Sequence, residues 1–312
     1  MVNAYRIILA LLASVASAVA AAAPHDREVA EGSVSADSDG LRERTADAGY
    51  IKALPSISEQ AMAAVRAGYW LLDSPNDRIE FGTLRLDHAS RLGPVDVTLQ
   101  GQQLGSSDWS PTLGSASLAY HAMPRLTLDA GAEAGIVDTV IAARRHTLVN
   151  SANGFLEYQP LDSVTLVGGV VQQWFSDGNH RFGRIAKLVY APSWLEGFNV
   201  QLRARRIDSQ FSGIGYFSPP KLEEAIGLLQ YGHALPGGRF VLTGVAGGGE
   251  QRVDGGSATS LYQGELRLRG WFSDQIGIEA KAGCTNTGGL EVQAATGGYR
   301  YCYSSLSLIR SL

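Results

Sequence analysis

Along Val95–Gln103 the chain changes character at every residue: Val95, Val97, Leu99 and Gly101 alternate with Asp96, Thr98, Gln100 and Gln102. Alternation with period two is the mark of a strand whose two faces meet different surroundings. The same pattern sets Leu126, Leu128, Ala130 and Ala132 against Thr127, Asp129, Gly131 and Glu133, and Val200, Leu202 and Ala204 against Gln201, Arg203 and Arg205. It returns where Leu266 and Leu268 oppose Glu265, Arg267 and Arg269. Arg85 and Asp87, and later Glu279 and Lys281, occupy the polar positions of two further segments. One face suits lipid and the other water. A soluble sandwich also alternates, so alternation alone leaves both open.

Three features favour a membrane barrel. Many apolar-face positions are Gly or Ala, as at Ala130, Ala132, Gly168 and Gly169, which would fill a sandwich core poorly. The turns fall into two classes. Short ones lie at Leu92–Pro94, Met123–Pro124, Gln159–Asp162, Pro192–Gly197, Leu235–Gly238 and Ser273–Gln275. Longer polar ones lie near Gly105–Thr112, Asp138–Ser151, Ser176–Arg181, Asp208–Lys221, Gly247–Ser260 and Cys284–Gly298. Aromatic residues at Tyr120, Tyr158, Tyr190, Tyr231 and Trp271 approach every second turn, as interfacial girdles do. The expected fold is all-β: a transmembrane antiparallel up-and-down barrel of about fourteen strands, running from 63–72 to 298–309, with twelve or sixteen if a terminal segment is mispaired.

The N-terminus predicts export. Residues 1–22 join Arg6 to an apolar run from Ile7 and end at Ala20-Ala21-Ala22, a secretory signal pattern. A membrane-anchoring helix is the competing reading, against which the short, alanine-diluted apolar run counts. Cleavage after Ala22 removes one of 26 basic side chains and none of the 30 acidic ones, taking the net charge from −4 to about −5. Beyond it no apolar run reaches transmembrane-helix length, and the mean hydropathy is −0.02. Residues 23–62, poor in large apolar side chains, are expected as a flexible periplasmic lead, with a short helix over 57–66, before the barrel at 63–312. Both termini are expected in the periplasm of a bacterial outer membrane.

Cys284 and Cys302 flank the last long loop of an exported chain and predict a structural disulfide. No Cys–His metal spacing is present, and no cofactor is expected. Nothing in the charge pattern points to nucleic acid; outer-membrane lipid and lipopolysaccharide are the expected surroundings.

Phe175-Ser176-Asp177-Gly178-Asn179, followed by His180-Arg181, and Gly215-Tyr216-Phe217-Ser218-Pro219 resemble motifs in the barrel domains of exopolysaccharide-export porins. These are the poly-N-acetylglucosamine and cellulose export type, together with the YaiO-like outer-membrane proteins. The resemblance covers residues 63–312 and implies a barrel that passes a polysaccharide chain. The larger exporters carry periplasmic helical repeats, so a stand-alone barrel implies a separate periplasmic scaffold protein.

Read from the residues themselves, Asp177-Gly178-Asn179 is turn chemistry, with direct ligand contact as the alternative. Tyr216 and Phe217 are expected as rim-girdle residues, or else as platforms for sugar rings. Ser176, Asp177 and His180 raise a lipid-modifying enzyme, but nothing in their spacing brings nucleophile and base together, and no catalytic residue is assigned. The expected function is a polysaccharide-export channel with Arg85, Asp87, Asp96, Gln100, Gln102, Asp129, Glu133, Arg203, Arg205, Glu265, Arg267, Arg269, Glu279 and Lys281 along its lumen. The alternative is a structural or adhesive barrel with a plugged lumen.

Overall fold

The computed structural model describes residues 25–212, 215–286 and 300–312. The signal-peptide reading and most of the last long loop lie outside them. Sixteen strands follow one another in the described residues. They begin with β1 (Arg27–Asp37), β2 (Arg42–Ala53), β3 (Met62–Ser74), β4 (Asp77–Leu92) and β5 (Val95–Gly105). Next come β6 (Thr112–Met123), β7 (Leu126–Ile136), the helix α1 (Val140–Arg144), β8 (Leu148–Leu161), β9 (Val164–Phe175) and β10 (His180–Tyr190). The chain ends with β11 (Phe198–Ser209), β12 (Lys221–Ala234), β13 (Phe240–Val253), β14 (Thr259–Trp271), β15 (Ile276–Thr285) and β16 (Tyr301–Ser311). Each pairs antiparallel with its sequence neighbours, and β1 pairs with β16 from Arg27↔Ser311 to Asp37↔Tyr301, closing the barrel. Closure satisfies every strand edge from within, which a wall in hydrocarbon requires. No helix among the described residues is long and apolar enough to cross a membrane.

The barrel therefore starts at Arg27, and the flexible lead expected over 23–62 is corrected. β1 and β2 are full strands. Their lipid-side positions hold Ala30, Gly32, Ala36, Ala46 and Ala48 with only Val34 and Tyr50 as larger apolar or aromatic side chains, so they lack the run of large apolar residues by which strands are usually recognised. Backbone pairing on both sides holds them instead. The helix expected over 57–66 is absent: a turn carries the chain from Leu54 to Ala61, where Leu54 N–H donates to Ala61 O over 2.7 Å, and β3 begins at Met62.

Leu84, Leu86, Leu99, Leu118, Leu202 and Leu266 stand exposed on the outer face, as a wall solvated by lipid demands. Tyr120, Tyr158, Tyr190, Tyr231 and Trp271 are exposed at the short-turn end. Cys284 and Cys302 face each other across β15 and β16, bonded, with Cα atoms 4.1 Å apart. A crosslink spanning 18 positions stabilises by about 3 kcal/mol in the chain-entropy account. Purified without reductant, the protein is expected to show no free thiol; rapid alkylation of both cysteines would refute the bond.

Candidate functional site

The register settles which face each polar side chain takes. Gln102 pairs with Arg85, Gln100 with Asp87 and Asp96 with Arg91, while Arg267 pairs with Lys281 and Arg269 with Glu279. Followed round the barrel, these rows place all fourteen expected lumen residues on the inward parity, opposite the exposed leucines. Inside they are tied to one another. Arg85 Nε lies 2.7 Å from Asp87, Arg205 Nε donates to Glu224 over 2.6 Å, and Arg267 lies 3.1 Å from Glu265, which also accepts from Tyr303. Arg66 lies among Glu31 at 3.2 Å and Asp47 and Asp87 at 3.6 Å. Glu31 and Asp47 escaped the sequence reading because they stand on β1 and β2.

Charge is unevenly placed around this wall. β7 and β8 turn only acids inward, Asp129, Glu133 and Glu157, whereas β10 and β11 turn only bases inward, Arg181, Lys187, Arg203 and Arg205. The interior encloses a cavity of about 330 Å³. Arg85, Gln102, Glu133, Arg205 and Lys281 line it, with Trp70, Phe175, Tyr301 and Tyr303 as aromatic surface. Five acidic and five basic side chains in the lining balance formally.

Toward the long-loop end the inner wall becomes apolar, because two connections fold into it. The segment between β7 and β8 carries α1, whose Val140 and Ala143 pack with Trp70, Leu72, Ile79, Phe81, Leu104 and Ile136. Thr139 caps the helix by accepting from Ala142 N–H, and Thr139 Oγ1 donates to Gly215 O over 2.5 Å. That bond joins the first inward segment to the second, the β11–β12 connection. Gly215 has φ +86° and lies so close to Ile141 that a Cβ there would come within 2.5 Å of its Cγ2. Any side chain would push the two segments apart. On its other flank Arg144 bonds Asp77 at 2.8 Å and Asp108 at 3.2 Å, and His146 stacks on Trp109 with centroids 4.8 Å apart.

The two family-like motifs meet where these connections fold inward. Phe175 stacks on Tyr216 at 4.8 Å, 15° from parallel. Tyr216 Oη donates to Asp177 over 2.8 Å, and Asn179 Nδ2 donates to Tyr216 Oη over 3.2 Å and to Ser218 Oγ over 2.8 Å. Arg181, fully buried, donates from Nε to Ser218 Oγ over 3.1 Å and from Nη2 to Phe217 O. Its guanidinium lies 4.8 Å over the Phe175 ring and 5.3 Å from Tyr216. Burial first, and then the Asp177 hydrogen bond, push the Tyr216 hydroxyl far above the usual phenol range, so it stays a donor. Pro219 ends the buried stretch before β12.

These contacts correct the reading of Tyr216 and Phe217. At 2% and 8% exposure they are neither rim girdle nor open sugar platform, because their rings fill the space between wall and loop. The turn reading of Phe175–Asn179 agrees with the geometry: Phe175 N–H donates to Asn179 O over 2.9 Å, Asp177 accepts from Asn179 N–H over 3.0 Å, and Gly178 has φ +92°. Ser176 Oγ accepts from Leu148 N–H over 2.9 Å, so the hydroxyl near His180 serves a neighbouring strand.

A closed wall with leucines outside and paired charges inside defines an outer-membrane β-barrel, and its two inward-folding connections, 137–147 and 210–220, lie at the same rim. Among solved structures the fold is similar to a bacterial polysaccharide outer membrane secretin, with TM-score 0.75 at 12% identity over 94% of this chain and 100% of that one. It is also similar to OccK7 (OpdD) of Pseudomonas aeruginosa, TM-score 0.51 at 10% identity over 92% of this chain and 98% of that one. CdiB from Acinetobacter baumannii has the same TM-score of 0.51 and 10% identity over 92% of this chain, which spans 60% of it. At such identities the likeness establishes the fold. No protein-family model and no curated protein sequence matches the chain.

Proposed function

We propose that this protein is an outer-membrane channel that helps an uncharged or weakly charged polysaccharide leave the periplasm, with both termini periplasmic and the long loops outside. The observation that carries the reading is the inner wall: a belt of paired acids and bases with balanced formal charge in the cavity lining. A sliding sugar chain needs many weak hydrogen bonds and no tight site, since binding must permit exit. The likeness to a polysaccharide secretin over the whole of that chain supports the same substrate class. The second reading is a structural or adhesive barrel with a closed lumen, and the inward loops favour it.

The test uses Arg267→Glu and Arg269→Glu together. Both side chains face inward, so assembly and heat-modifiable migration are expected to survive, whereas lipid-facing charges would cost roughly 2–4 kcal/mol near the midplane. Cation preference in planar bilayers should rise and secreted glycan should fall. Failed assembly would overturn the register; normal assembly with unchanged conductance and secretion would favour the closed barrel.

Orientation has its own check. An epitope inserted at Gly255-Gly256 is expected to be reachable on intact cells, and one at Gly237-Gly238 only after the outer membrane is permeabilised. Equal labelling of both in intact cells would contradict the proposed topology.

A further inference from the structure

At the rim opposite the inward-folding connections, neighbouring strands gather charge round one imidazole. His121, near the end of β6, takes the inward parity with Ala119, which pairs with Asp96 on β5 and Asp129 on β7. Its Nε2 lies 2.8 Å from Asp96 Oδ2 and 3.4 Å from Arg91 Nη2, and its Nδ1 lies 3.2 Å from the Thr127 hydroxyl. Arg91 in turn donates to both Asp96 oxygens, over 2.6 and 2.8 Å. The three side chains are partly open, Arg91 at 44%, His121 at 40% and Asp96 at 36% exposure, so water and small ions reach the ring.

Imidazole is the side chain that ordinarily changes charge between about pH 5 and 8, and this site accepts both of its forms. Neutral, the ring donates from Nε2 to Asp96 and accepts at Nδ1 from Thr127; protonated, it donates at both, since a hydroxyl serves as donor or acceptor. No side chain has to move for the charge to change. What changes is the balance of the wall. Facing the ring are Arg91 on β4, Asp96 on β5, Asp129 on β7 and Glu157 on β8, the last paired in register with Thr127: three acids against one base. Arg125, in the turn after β6, is tied to Asp162 at 2.7 Å. One cation gained at His121 therefore halves the local excess of acid. His88 and His233 take the outward parity on their strands and leave this balance untouched.

We propose that His121 sets the charge preference of this mouth: with its imidazole neutral the mouth favours cations over anions, and protonation weakens that preference. Reading the mouth as the entrance of a channel rests on the function proposed above; the charge preference itself does not. It is measured with Ala119→Cys, which places a thiol one pleat from His121, about 7 Å along the strand. Cys284 and Cys302 are bonded to each other and stay silent. The full-length barrel in zwitterionic detergent is labelled with a trimethylammonium and with a sulfonate methanethiosulfonate reagent, and the ratio of the two rates is followed from pH 8 to pH 5.5. Ionisation of the thiol affects both rates alike and cancels in the ratio. The ratio of cationic to anionic labelling is expected to fall about fourfold as the ring gains its charge, which acts in opposite senses on the two reagents. His121→Gln, which keeps a donor toward Asp96, should hold the ratio high at every pH. A ratio that ignores pH when His121 is present, or one that still falls in the Gln variant, would overturn the assignment. Labelling reads the mouth whether or not the lumen conducts, so its failure removes this inference and leaves the channel to the conductance measurement.

Discussion

Single-channel conductance is expected to rise on the order of tenfold when residues 138–146 are replaced by a short Gly-Ser turn, because the segment that narrows the long-loop end is then gone. The strands either side do not need it. Ile136 already pairs with Leu148, so a short turn completes the β7–β8 hairpin without disturbing the wall. What is lost is the packing of Val140 and Ala143 on Trp70 and Phe81, the Arg144 bonds to Asp77 and Asp108, and the Thr139 bond to Gly215. Some stability goes with them, while the backbone pairing that closes the barrel remains. A shortened protein that assembles and conducts no better than the parent would show that another element closes the lumen.

Arg181→Met is expected to release the second inward loop. The substitution keeps an apolar stem of similar length but removes the donors to Ser218 and to the Phe217 carbonyl and the cation over Phe175. Hydrogen bonds from a charged group and a shielded cation–π contact together make the expected loss roughly 2–4 kcal/mol. Because the wall is paired independently of this loop, the loss should be read locally: faster amide exchange over residues 215–218 with little change elsewhere. Arg181→Lys keeps the charge without the planar fork and should fall between parent and Met variant. Unchanged exchange at Tyr216 in the Met variant would mean that the Phe175 stack and the Asp177, Asn179 and Thr139 hydrogen bonds hold the loop without Arg181.

The wall was legible in the sequence wherever its lipid face carries large side chains. Leu99 beside Gln100, and Leu202 between Gln201 and Arg203, announce strand and face together, since a period of two admits one assignment. Residues 27–53 hid the same alternation because alanine and glycine satisfy a lipid face as readily as leucine does. The inward packing of the loops was hidden for another reason. Arg181 and Ser218 are 37 positions apart, and nothing local to either predicts that they meet; the turn at Gly178 and the inward course of the β11–β12 connection bring them together. Trp70 and Phe81 likewise read as ordinary strand residues until α1 is placed against them.

The acids that β7 and β8 turn inward and the bases that β10 and β11 turn inward flank β9 on opposite sides. Across that stretch of wall the field runs over β9 from the bases to the acids, so water lying against it leans along the field and resists displacement by anything that cannot take over its orientation. A hydroxyl-rich chain replaces one set of dipoles with another and moves at little cost. An apolar solute of the same girth must strip oriented water without replacing it, so widening this barrel is expected to raise its permeability to sugars more than its permeability to apolar drugs.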